Sequence, residues 1–508
     1  MVQTNHQVKS STLHIFVIFV FFLTAFLSIS SGIVASSDGI MIFKVTQAIV
    51  ERGEISLSDD SVPPGAGGKR YSPYGIALSV LAIPLYLLGK LVSSTIPEQF
   101  HNLILKGSVS LTNAIVGAFT CLLLVRTAQQ LSYSQRVSLQ LAMSFAFSTF
   151  FVVYATKGFL THPLETLCLM GTVCFFVAFR RDRDPRALIY AGLFSGGGIL
   201  TKWTFTVNLP VFVLYLLATS SNGRRARDLS IFFAPVGASL ALALWYNYAR
   251  FGSILETGYG GATGTATSLF STSLSVGVYG LLFSPGRSLF LYAPIAVLGF
   301  ASAKAFAKTH RREMWMLIGL VAANMLLIAK YRYWGGGLTW GPRLLTLVLP
   351  CLVLPIGALL QHGSTWVRRG FLALSLAGLL VQFGGVSIFY GTYNRAIRGY
   401  SYRSGVRDPL LWYKSNFLPS YSPAWGQFRM ARKNWAKFLA EEKPMLTIRP
   451  SNERVPLSEA DRAKLSETLD LWFAYAYYAG VPFRLCLIGM AGLLSAAAVV
   501  GCRLYRSC

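Results

Sequence analysis

Asp38 and the cation pair Lys69-Arg70 are the first residues of the chain whose types and spacing could do chemistry. They lie on one stretch, residues 36–74, which directly follows the first apolar span. A Pro/Gly-rich turn at 63–68 precedes the two cations. A carboxylate can take a proton from a hydroxyl, and nearby cations can stabilise a negatively charged group. The stretch could therefore form a site for a hydroxyl and an anion.

Other ionisable residues stand at the ends of later apolar spans, where the membrane alone does not explain them. A charged group costs ~2.5–3.5 kcal/mol at the centre of a membrane helix and less toward its ends. Cations on the outer side also run against the usual orientation bias of membrane proteins. Their convergence at one membrane face predicts a polar site formed by His162, Glu165, Lys202, Arg287, Lys330, Arg332 and Arg343.

Each of these residues also has a purely structural explanation. A single Arg could extend its charged end to the outer headgroups. Asp38 could cap the N-terminus of the amphipathic helix that the next residues predict, which would not exclude a catalytic role. Glu165 could simply pair with Lys202 or His162. The sequence alone leaves these alternatives open.

The composition is that of an all-α protein that crosses a membrane many times. Of the 508 residues, 53% are hydrophobic and only 13% are charged. The formal net charge is +26, but the cations lie mostly in short clusters between apolar spans, which is the positive-inside pattern. The sequence therefore implies no nucleic-acid partner. The spacing of the seven cysteines matches neither a zinc motif nor a disulfide framework.

We predict twelve membrane-spanning helices with both termini in the cytoplasm. Residues 74–92 are equally apolar, but if they crossed the membrane every later Arg cluster would move to the outside. We therefore predict that they lie along the outer interface, which the proline in their middle also favours. The twelve spans cover about 14–33, 107–129, 137–156, 161–180, 187–202, 203–220, 229–249, 286–303, 313–331, 341–361, 370–390 and 483–502.

Three long segments lie on the outer side in this topology. The first, 34–106, should contain interfacial helices. The second, 250–285, is rich in Gly, Ser and Thr, and the third, 391–482, is basic and aromatic and resembles a small subdomain. The predicted organisation is a membrane region at 1–390, this outer subdomain, and a last helix with a cytoplasmic tail at 483–508.

Seven sequence motifs occur in an order that is typical of one superfamily of membrane enzymes. They are SSDGIMIF, KRYSPYGIALSVLAIPLYLLG, THPLETL, GGGILTK, YNYARFGSILETGYGG, GLLFSPGRSLFLYAPI and YWGGGLTWGPRLL. Over residues 14–360 the chain resembles the GT-C membrane glycosyltransferases. Within them it is most similar to the branch that contains protein O-mannosyltransferases and aminoarabinose lipid A transferases. The resemblance implies a GT-C-like fold and a catalytic role for the region 1–390.

The resemblance also implies roles for particular residues. An acid in the first outer loop acts on the acceptor in that superfamily, and Asp38 matches its position. A second acid, at the outer start of the fourth helix, corresponds to Glu165. The basic residue before the second interfacial helix corresponds to Lys69 or Arg70. The other implied donor-phosphate or substrate-binding residues are Tyr74, His162, Lys202, Arg287, Arg332 and Arg343.

The implied reaction is transfer of a sugar, a hexose or pentose, from a polyprenyl-phosphate carrier. The acceptor would be a hydroxyl of a lipid, glycan or protein, and one direct displacement would invert the anomeric centre. Catalysis would take place on the extracytoplasmic side of the inner (plasma) membrane. The superfamily often has a second acid beside the first, but Ser37 and Gly39 flank Asp38 here. A divalent metal is therefore possible but not required.

Two other functions compete with this interpretation. A transporter or flippase of lipid-linked glycans would place ionisable residues along a path through the membrane and would show two matching halves. The charges here gather at one face instead, which favours the enzyme. A ligase that moves a whole oligosaccharide from a polyprenyl diphosphate is hardly separated from a monosaccharide transferase by the sequence.

Overall fold

The computed structural model describes residues 2–58, 62, 64–259, 269–403, 410–444 and 468–506. Parts of the predicted outer segments (260–268, 404–409 and 445–467) and part of the predicted turn at 63–68 lie outside the described residues. The described α-helices are α1 (Val2–Ser28), α2 (Ser37–Arg52), α3 (Ala77–Leu81), α4 (Ile83–Ser93), α5 (His101–Gln130), α6 (Gln135–Ser148), α7 (Phe151–Thr156), α8 (His162–Asp182), α9 (Arg186–Thr201), α10 (Leu209–Thr219), α11 (Arg225–Phe251), α12 (Leu274–Phe283), α13 (Leu289–Tyr292), α14 (Ala296–Thr309), α15 (Arg311–Lys330), α16 (Leu349–Val353), α17 (Ile356–His362), α18 (Thr365–Ser387), α19 (Thr392–Arg403), α20 (Leu411–Phe417), α21 (Pro423–Leu439), α22 (Trp472–Tyr478) and α23 (Phe483–Arg506).

The described strands form a single antiparallel ribbon, in which β1 (Ser56–Leu57) pairs with β2 (Arg70–Tyr71). Leu57 lies opposite Arg70, so the ribbon closes the turn that precedes the second interfacial segment. The rest of the described chain is helices, turns and loops, and the all-helical class predicted from composition is confirmed apart from this short ribbon.

Seven helical segments in the described ranges are long and apolar enough to cross a membrane. Four shorter apolar helices accompany them, at Leu13–Ser28, Ile83–Ser93, Trp203–Thr219 and Leu274–Phe283. This confirms a multi-pass membrane protein. The number of twelve spans and the cytoplasmic position of both termini stay predictions. The seven long segments are Glu98–Gln130, His162–Asp182, Asn222–Phe251, Arg311–Lys330, Arg343–His362, Thr365–Ser387 and Phe483–Leu504.

Several of the expected spans are interrupted rather than continuous. The span predicted at 137–156 is divided into α6 and α7, because Thr149 adopts an extended backbone between them. The span predicted at 286–303 is divided into α13 and α14 around Pro294, since proline has no N–H to continue a helix. The Gly/Ser/Thr-rich segment 250–285, which we predict to lie on the outer side, contains the apolar helix α12 near its end, and this helix packs against α15.

The apolar residues 74–92 form two short helices, α3 and α4, that meet at Ala82. Pro84 lies in the first turn of α4, where a missing N–H costs no helical hydrogen bond. The eleven residues of α4 give a length of about 17 Å, well short of a hydrocarbon core of about 30 Å. The interfacial position of residues 74–92 stays a prediction.

Helix α8 lies at the centre of the packed helices that carry the polar site. It packs against α5 and α9, and α9 in turn packs against α11. Phe176 in its middle contacts the rings of Phe212, Tyr215 and Phe232 at centroid distances of 5.5, 5.5 and 5.1 Å. The position of the N-terminus of α8 is therefore fixed by packing along the whole helix.

Candidate active site

Asp38 lies in the first turn of α2, one residue inside the helix. The helix is capped by Ser36, whose Oγ accepts a hydrogen bond from the Gly39 N–H at 3.1 Å. The suggestion that Asp38 itself caps the helix is therefore wrong, because the neighbouring serine already does so. The Asp38 carboxylate instead pairs with Arg343, with 3.2 Å between Oδ2 and Nη1. The two side chains retain 25% and 20% of their exposure, so the pair is partly open to solvent or substrate.

Three neighbours determine the protonation state of Asp38. Burial raises the pKa of its carboxyl group, but the charge of Arg343 and hydrogen bonds from Tyr74, Ser37 and Arg343 lower it by more. The pKa of Asp38 therefore lies below its ordinary value, and the carboxylate is ionised at neutral pH. Burial and the charge of Asp38 together raise the pKa of the Tyr74 phenol, which donates its hydrogen bond to the carboxylate.

Glu165 occupies the first turn of α8 and forms a second ionic group. Its Oε1 accepts a hydrogen bond from the Thr161 hydroxyl at 2.8 Å and lies 3.5 Å from Nδ1 of His162. Nζ of Lys202 lies 3.6 Å from the same oxygen. The structure thus brings Glu165, His162 and Lys202 together, as the pairing alternative proposed. Glu165 and His162 are buried, whereas Lys202 keeps 22% of its exposure.

Tyr259 links the two ionic groups. Burial and the carboxylates of Asp38 and Glu165, together with Tyr331, raise the pKa of its phenol. Its ring lies edge-on to that of Tyr74, with 6.3 Å between centroids. Both acids contribute to the raised pKa of this phenol, so the Asp38–Arg343 pair and the Glu165–Lys202 pair lie near one tyrosine.

The segment that carries Tyr74 is bound tightly to this site by an arginine that sequence reasoning missed. Arg250, at the end of α11, is buried and stacks over the Tyr246 ring at 3.8 Å. Its guanidinium donates to the carbonyls of Ser72 and Tyr74 and, at 2.8 Å, to the Asn247 side chain. The only sequence signal was a cation inside the motif YNYARF at the end of an apolar helix.

The same segment also lies against the end of α9, next to Lys202. A Cβ atom on Gly75 would lie 2.2 Å from the Leu200 carbonyl oxygen, so only glycine permits this approach. The first outer segment and the C-terminal end of α9 are therefore in direct backbone contact. This contact places Tyr74 and Lys202 on the same side of the helix bundle.

The chain between α1 and Asp38 is bound by the end of the segment 391–482, which we predict to be an outer subdomain. Lys157, buried after α7, donates to the carbonyls of Ile29 and Asp470. The N–H of Trp472 donates to the Ser30 carbonyl at 3.0 Å. The chain between α1 and α2 is thus held by residues from near the other end of the sequence.

Two of the predicted phosphate-binding cations have contacts elsewhere. Lys69 pairs with Glu54 at 3.2 Å on an exposed part of the ribbon, and Arg70 donates to the Val62 carbonyl. These contacts belong to the ribbon and its turn, so a phosphate-binding role for either cation rests on the sequence alone. Arg332 is exposed, and its guanidinium lies 5.7 Å from the Tyr333 ring centroid.

Arg287, also predicted to bind substrate, is fully enclosed by protein. Its guanidinium donates to the carbonyls of Thr339, Gly341 at 3.2 Å and Gly337 at 2.6 Å, and to the Asn416 side chain at 3.1 Å. These contacts are typical of a residue that holds a loop in place rather than of one that binds a ligand.

The described residues contain no group of three or more His, Cys, Asp or Glu side chains that could hold a metal ion. Around Asp38 the charged neighbour is a cation, and the second acid, Glu165, is paired with a lysine and a histidine. The cations paired with the two acids are Arg343 and Lys202.

Comparison with known proteins finds one family match and several similar folds. A family model described as dolichyl-phosphate-mannose-protein mannosyltransferase matches residues 100–247. The crystal structure of ArnT from Cupriavidus metallidurans in the apo state superposes with a TM-score of 0.50 at 14% identity, covering 96% of this chain and 77% of that one. The oligosaccharyltransferase AglB from Archaeoglobus fulgidus superposes with a TM-score of 0.48 at 12% identity, covering 93% of this chain and 60% of that one. No curated protein sequence matches the chain.

The similarity to ArnT extends over nearly the whole chain and concerns the fold. The family match adds a sequence relationship over α5 to α11, the helices around which the Glu165–Lys202 pair is built. The chain thus shares its fold with ArnT, and its residues 100–247 match the mannosyltransferase family model.

Proposed function

We propose that the chain transfers a sugar from a polyprenyl-phosphate carrier to an acceptor hydroxyl, with Asp38 as the base. The observation that carries this proposal is the Asp38–Arg343 pair, a partly exposed carboxylate beside a cation on the first outer segment. The matched family is described by a donor of the same kind, a mannose joined to a lipid phosphate. The acceptor belongs to a lipid, a glycan or a protein.

Arg343 and Lys202 are the cations best suited to the donor phosphate. Arg343 uses Nη1 for Asp38, and its buried Nε has no acceptor within the part of the chain that the structure describes. Lys202 lies 3.6 Å from Glu165, so their contact is electrostatic and its N–H groups can turn to a ligand. Arg287 differs from both, because backbone carbonyls and Asn416 occupy its donors.

The reaction is one displacement at the anomeric carbon. The acceptor oxygen forms a bond to that carbon while the bond from carbon to the phosphate oxygen breaks. The lipid phosphate leaves with the bonding electron pair, and Arg343 and Lys202 stabilise the negative charge that develops on it. The acceptor proton passes to Asp38. Attack from the side opposite the leaving group inverts the anomeric centre.

Asp38 is a weak base because the pKa of its carboxyl group is lowered. It can nevertheless accept the proton late, when the bond to the sugar is largely formed and the acceptor oxygen has become acidic. Tyr74 keeps the carboxylate oriented through its hydrogen bond. The role of Glu165 in this scheme is to hold Lys202 at the position where the phosphate arrives.

We place the site on the extracytoplasmic side of the inner (plasma) membrane, where a lipid-linked sugar would be presented to acceptors of the cell envelope. The support for this side is the distribution of Arg clusters, which the positive-inside rule assigns to the cytoplasm. The short helices α3 and α4, with exposed Leu87, Leu88 and Leu91, would form one wall for the isoprenoid chain.

The test measures sugar transfer by the purified full chain from a panel of polyprenyl-phosphate sugars. The turnover and donor affinity of the unchanged chain are compared with those of the Asp38→Asn variant. This substitution keeps the shape of the side chain but removes the charge and the basic lone pairs, so turnover should fall about a hundredfold or more. Donor affinity should stay the same or rise, because a negative charge near the phosphate is removed. Asp182→Asn is the matched control, since Asp182 also pairs with an arginine but lies on an exposed surface.

Three results would contradict the proposal. If Asp38→Asn turned over normally, Glu165 would become the leading base. If the chain accepted only polyprenyl-diphosphate oligosaccharides, the ligase would be the correct function. If it moved lipid-linked sugars across vesicles without forming a glycoside, it would be a transporter.

A further inference from the structure

We propose that Arg287 is a positioning residue that fixes Arg343 opposite Asp38, and that Asn416 makes this geometry depend on helix α20 of the outer subdomain. The inference rests on the proposed function and adds to it a coupling between the outer subdomain and the catalytic pair. The evidence for this coupling is the set of contacts made by the buried guanidinium of Arg287.

The glycine-rich loop (residues 335–341) ends two residues before Arg343 and has no regular structure of its own. Gly336 and Gly337 have φ values of 73° and 80°, in the left-handed region that favours glycine. A backbone in this conformation leaves its carbonyls without helical or sheet partners, and buried carbonyls need donors. Arg287 provides them, at Gly337, Thr339 and Gly341.

The loop determines where Arg343 can lie. A Cβ atom on Gly336 would lie 2.9 Å from Cγ of Arg343, so the loop backbone packs directly on the stem of that side chain. A shift of the loop would therefore move Arg343, whose Nη1 must stay within 3.2 Å of Asp38. Arg287 reaches the catalytic pair through this contact without touching the reacting groups.

The outer subdomain binds the same arginine from the other side. Oδ1 of Asn416, in α20, accepts from Nε of Arg287 at 3.1 Å, and its backbone carbonyl accepts from the Gly286 N–H at 3.0 Å. Trp412 of the same helix lies over the guanidinium, with its ring centroid 5.7 Å away. A movement of α20, such as one caused by a bound acceptor, would reach Arg343 through Arg287 and the glycine-rich loop.

Among the described residues no carboxylate pairs with Arg287, which sets it apart from a stabilising ion pair. Carbonyl dipoles balance its charge, and they are arranged to match the forked N–H donors of the guanidinium. Lysine carries a single point charge and cannot reproduce this geometry. Replacing Arg287 by lysine should therefore keep the charge but release part of the loop.

The experiment uses Arg287→Lys and Asn416→Ala in the purified full chain. Both variants should lower turnover, by about tenfold up to about a hundredfold for Arg287→Lys, the range expected when a group is misplaced by about 1 Å. Both should also move the acid limb of the pH–rate profile upward, because a displaced Arg343 lowers the pKa of Asp38 less. Loss of general stability alone would not move that limb.

Arg183→Lys is the matched control. Arg183 also donates to a backbone carbonyl, that of Thr219, but lies at the opposite end of α8 from Glu165. It should leave the acid limb unchanged. In the Arg343→Gln background, Arg287→Lys should cause no further loss of turnover, since its effect passes through Arg343.

Amide hydrogen exchange gives a readout that needs no activity. Arg287→Lys and Asn416→Ala should increase exchange in residues 335–341. Unchanged exchange would overturn the positioning role whether or not the chain transfers sugar. Increased exchange in a chain that transfers sugar from none of the polyprenyl-phosphate donors would leave the positioning role standing and refute the proposed function.

Discussion

Replacing Arg343 by glutamine should affect donor affinity and the pH dependence of catalysis together. Two unit charges 3.2 Å apart interact by about 5 kcal/mol at an effective dielectric constant of ~20. Desolvation of the partly buried groups offsets much of this energy. The net value of one charge-assisted contact is about 1.5–3 kcal/mol, whether its partner is Asp38 or a phosphate.

Loss of such a contact to the donor phosphate corresponds to a decrease in affinity of roughly 10- to 150-fold. The pH profile should change because Arg343 is the main group that offsets the effect of burial on Asp38. Without Arg343 the pKa of Asp38 should rise, because only the hydrogen bonds from Tyr74 and Ser37 then offset burial, so a larger fraction of the carboxylate is protonated at a given pH. Since the base must be ionised, the acid limb of the turnover profile should move to higher pH.

The assay combines binding of the polyprenyl-phosphate sugar with turnover measured across pH, both on purified protein. Arg343→Lys keeps the charge and should retain part of the donor affinity. Arg181→Gln removes an exposed arginine that pairs with Asp182 away from the site, and should change neither quantity. Unchanged donor affinity and an unmoved acid limb in folded Arg343→Gln would refute the placement of the pair at the active site.

Three further expectations follow from the same contacts. Lys202→Met should weaken donor binding by roughly 10- to 150-fold, the loss of one charge-assisted contact, and equal donor affinity in the folded variant would leave Lys202 only a structural role. Arg250→Lys should lower turnover more than donor affinity, because it loosens residues 72–74 without removing a phosphate contact, and steady-state kinetics with a binding assay would separate the two. Lys69→Cys should react with an impermeant thiol reagent applied to intact cells and Arg225→Cys should not; labelling of Arg225→Cys would disprove the predicted topology.

The sequence was sufficient for the features that depend on side-chain type and period. Apolar runs of bilayer length predicted the long helices, and the alternation after Asp38 predicted the amphipathic helix α2. The pairing of Glu165 with His162 could be suggested from the sequence because the two residues are one turn apart. The pairing with Lys202 could be suggested because both residues stand at ends of apolar spans. Each of these inferences needs only residues that are close in sequence or a general property of membranes.

Features that depend on distant backbone atoms were not accessible in this way. Arg250 binds carbonyls 176 and 178 positions earlier, and Arg287 binds carbonyls 50 to 54 positions later. A carbonyl oxygen is present in every residue, so no residue type marks it as a partner. The choice of Ser36 rather than Asp38 as the helix cap also depends on backbone angles, because both residue types can cap.

The contacts of Ile29 and Ser30 have a consequence for how the protein is made. Ser30 accepts its hydrogen bond from Trp472, and Lys157, which binds Ile29, also binds Asp470. Both Asp470 and Trp472 are made more than 400 residues after Asp38. At 5–20 residues per second, roughly 20 to 90 seconds separate the synthesis of Asp38 from that of Trp472. Throughout that interval Ser30 lacks its hydrogen bond from Trp472, and Lys157 lacks its hydrogen bond to Asp470. The segment before Asp38 is therefore not yet held as it is in the folded protein. Activity should therefore begin only after Trp472 has been made.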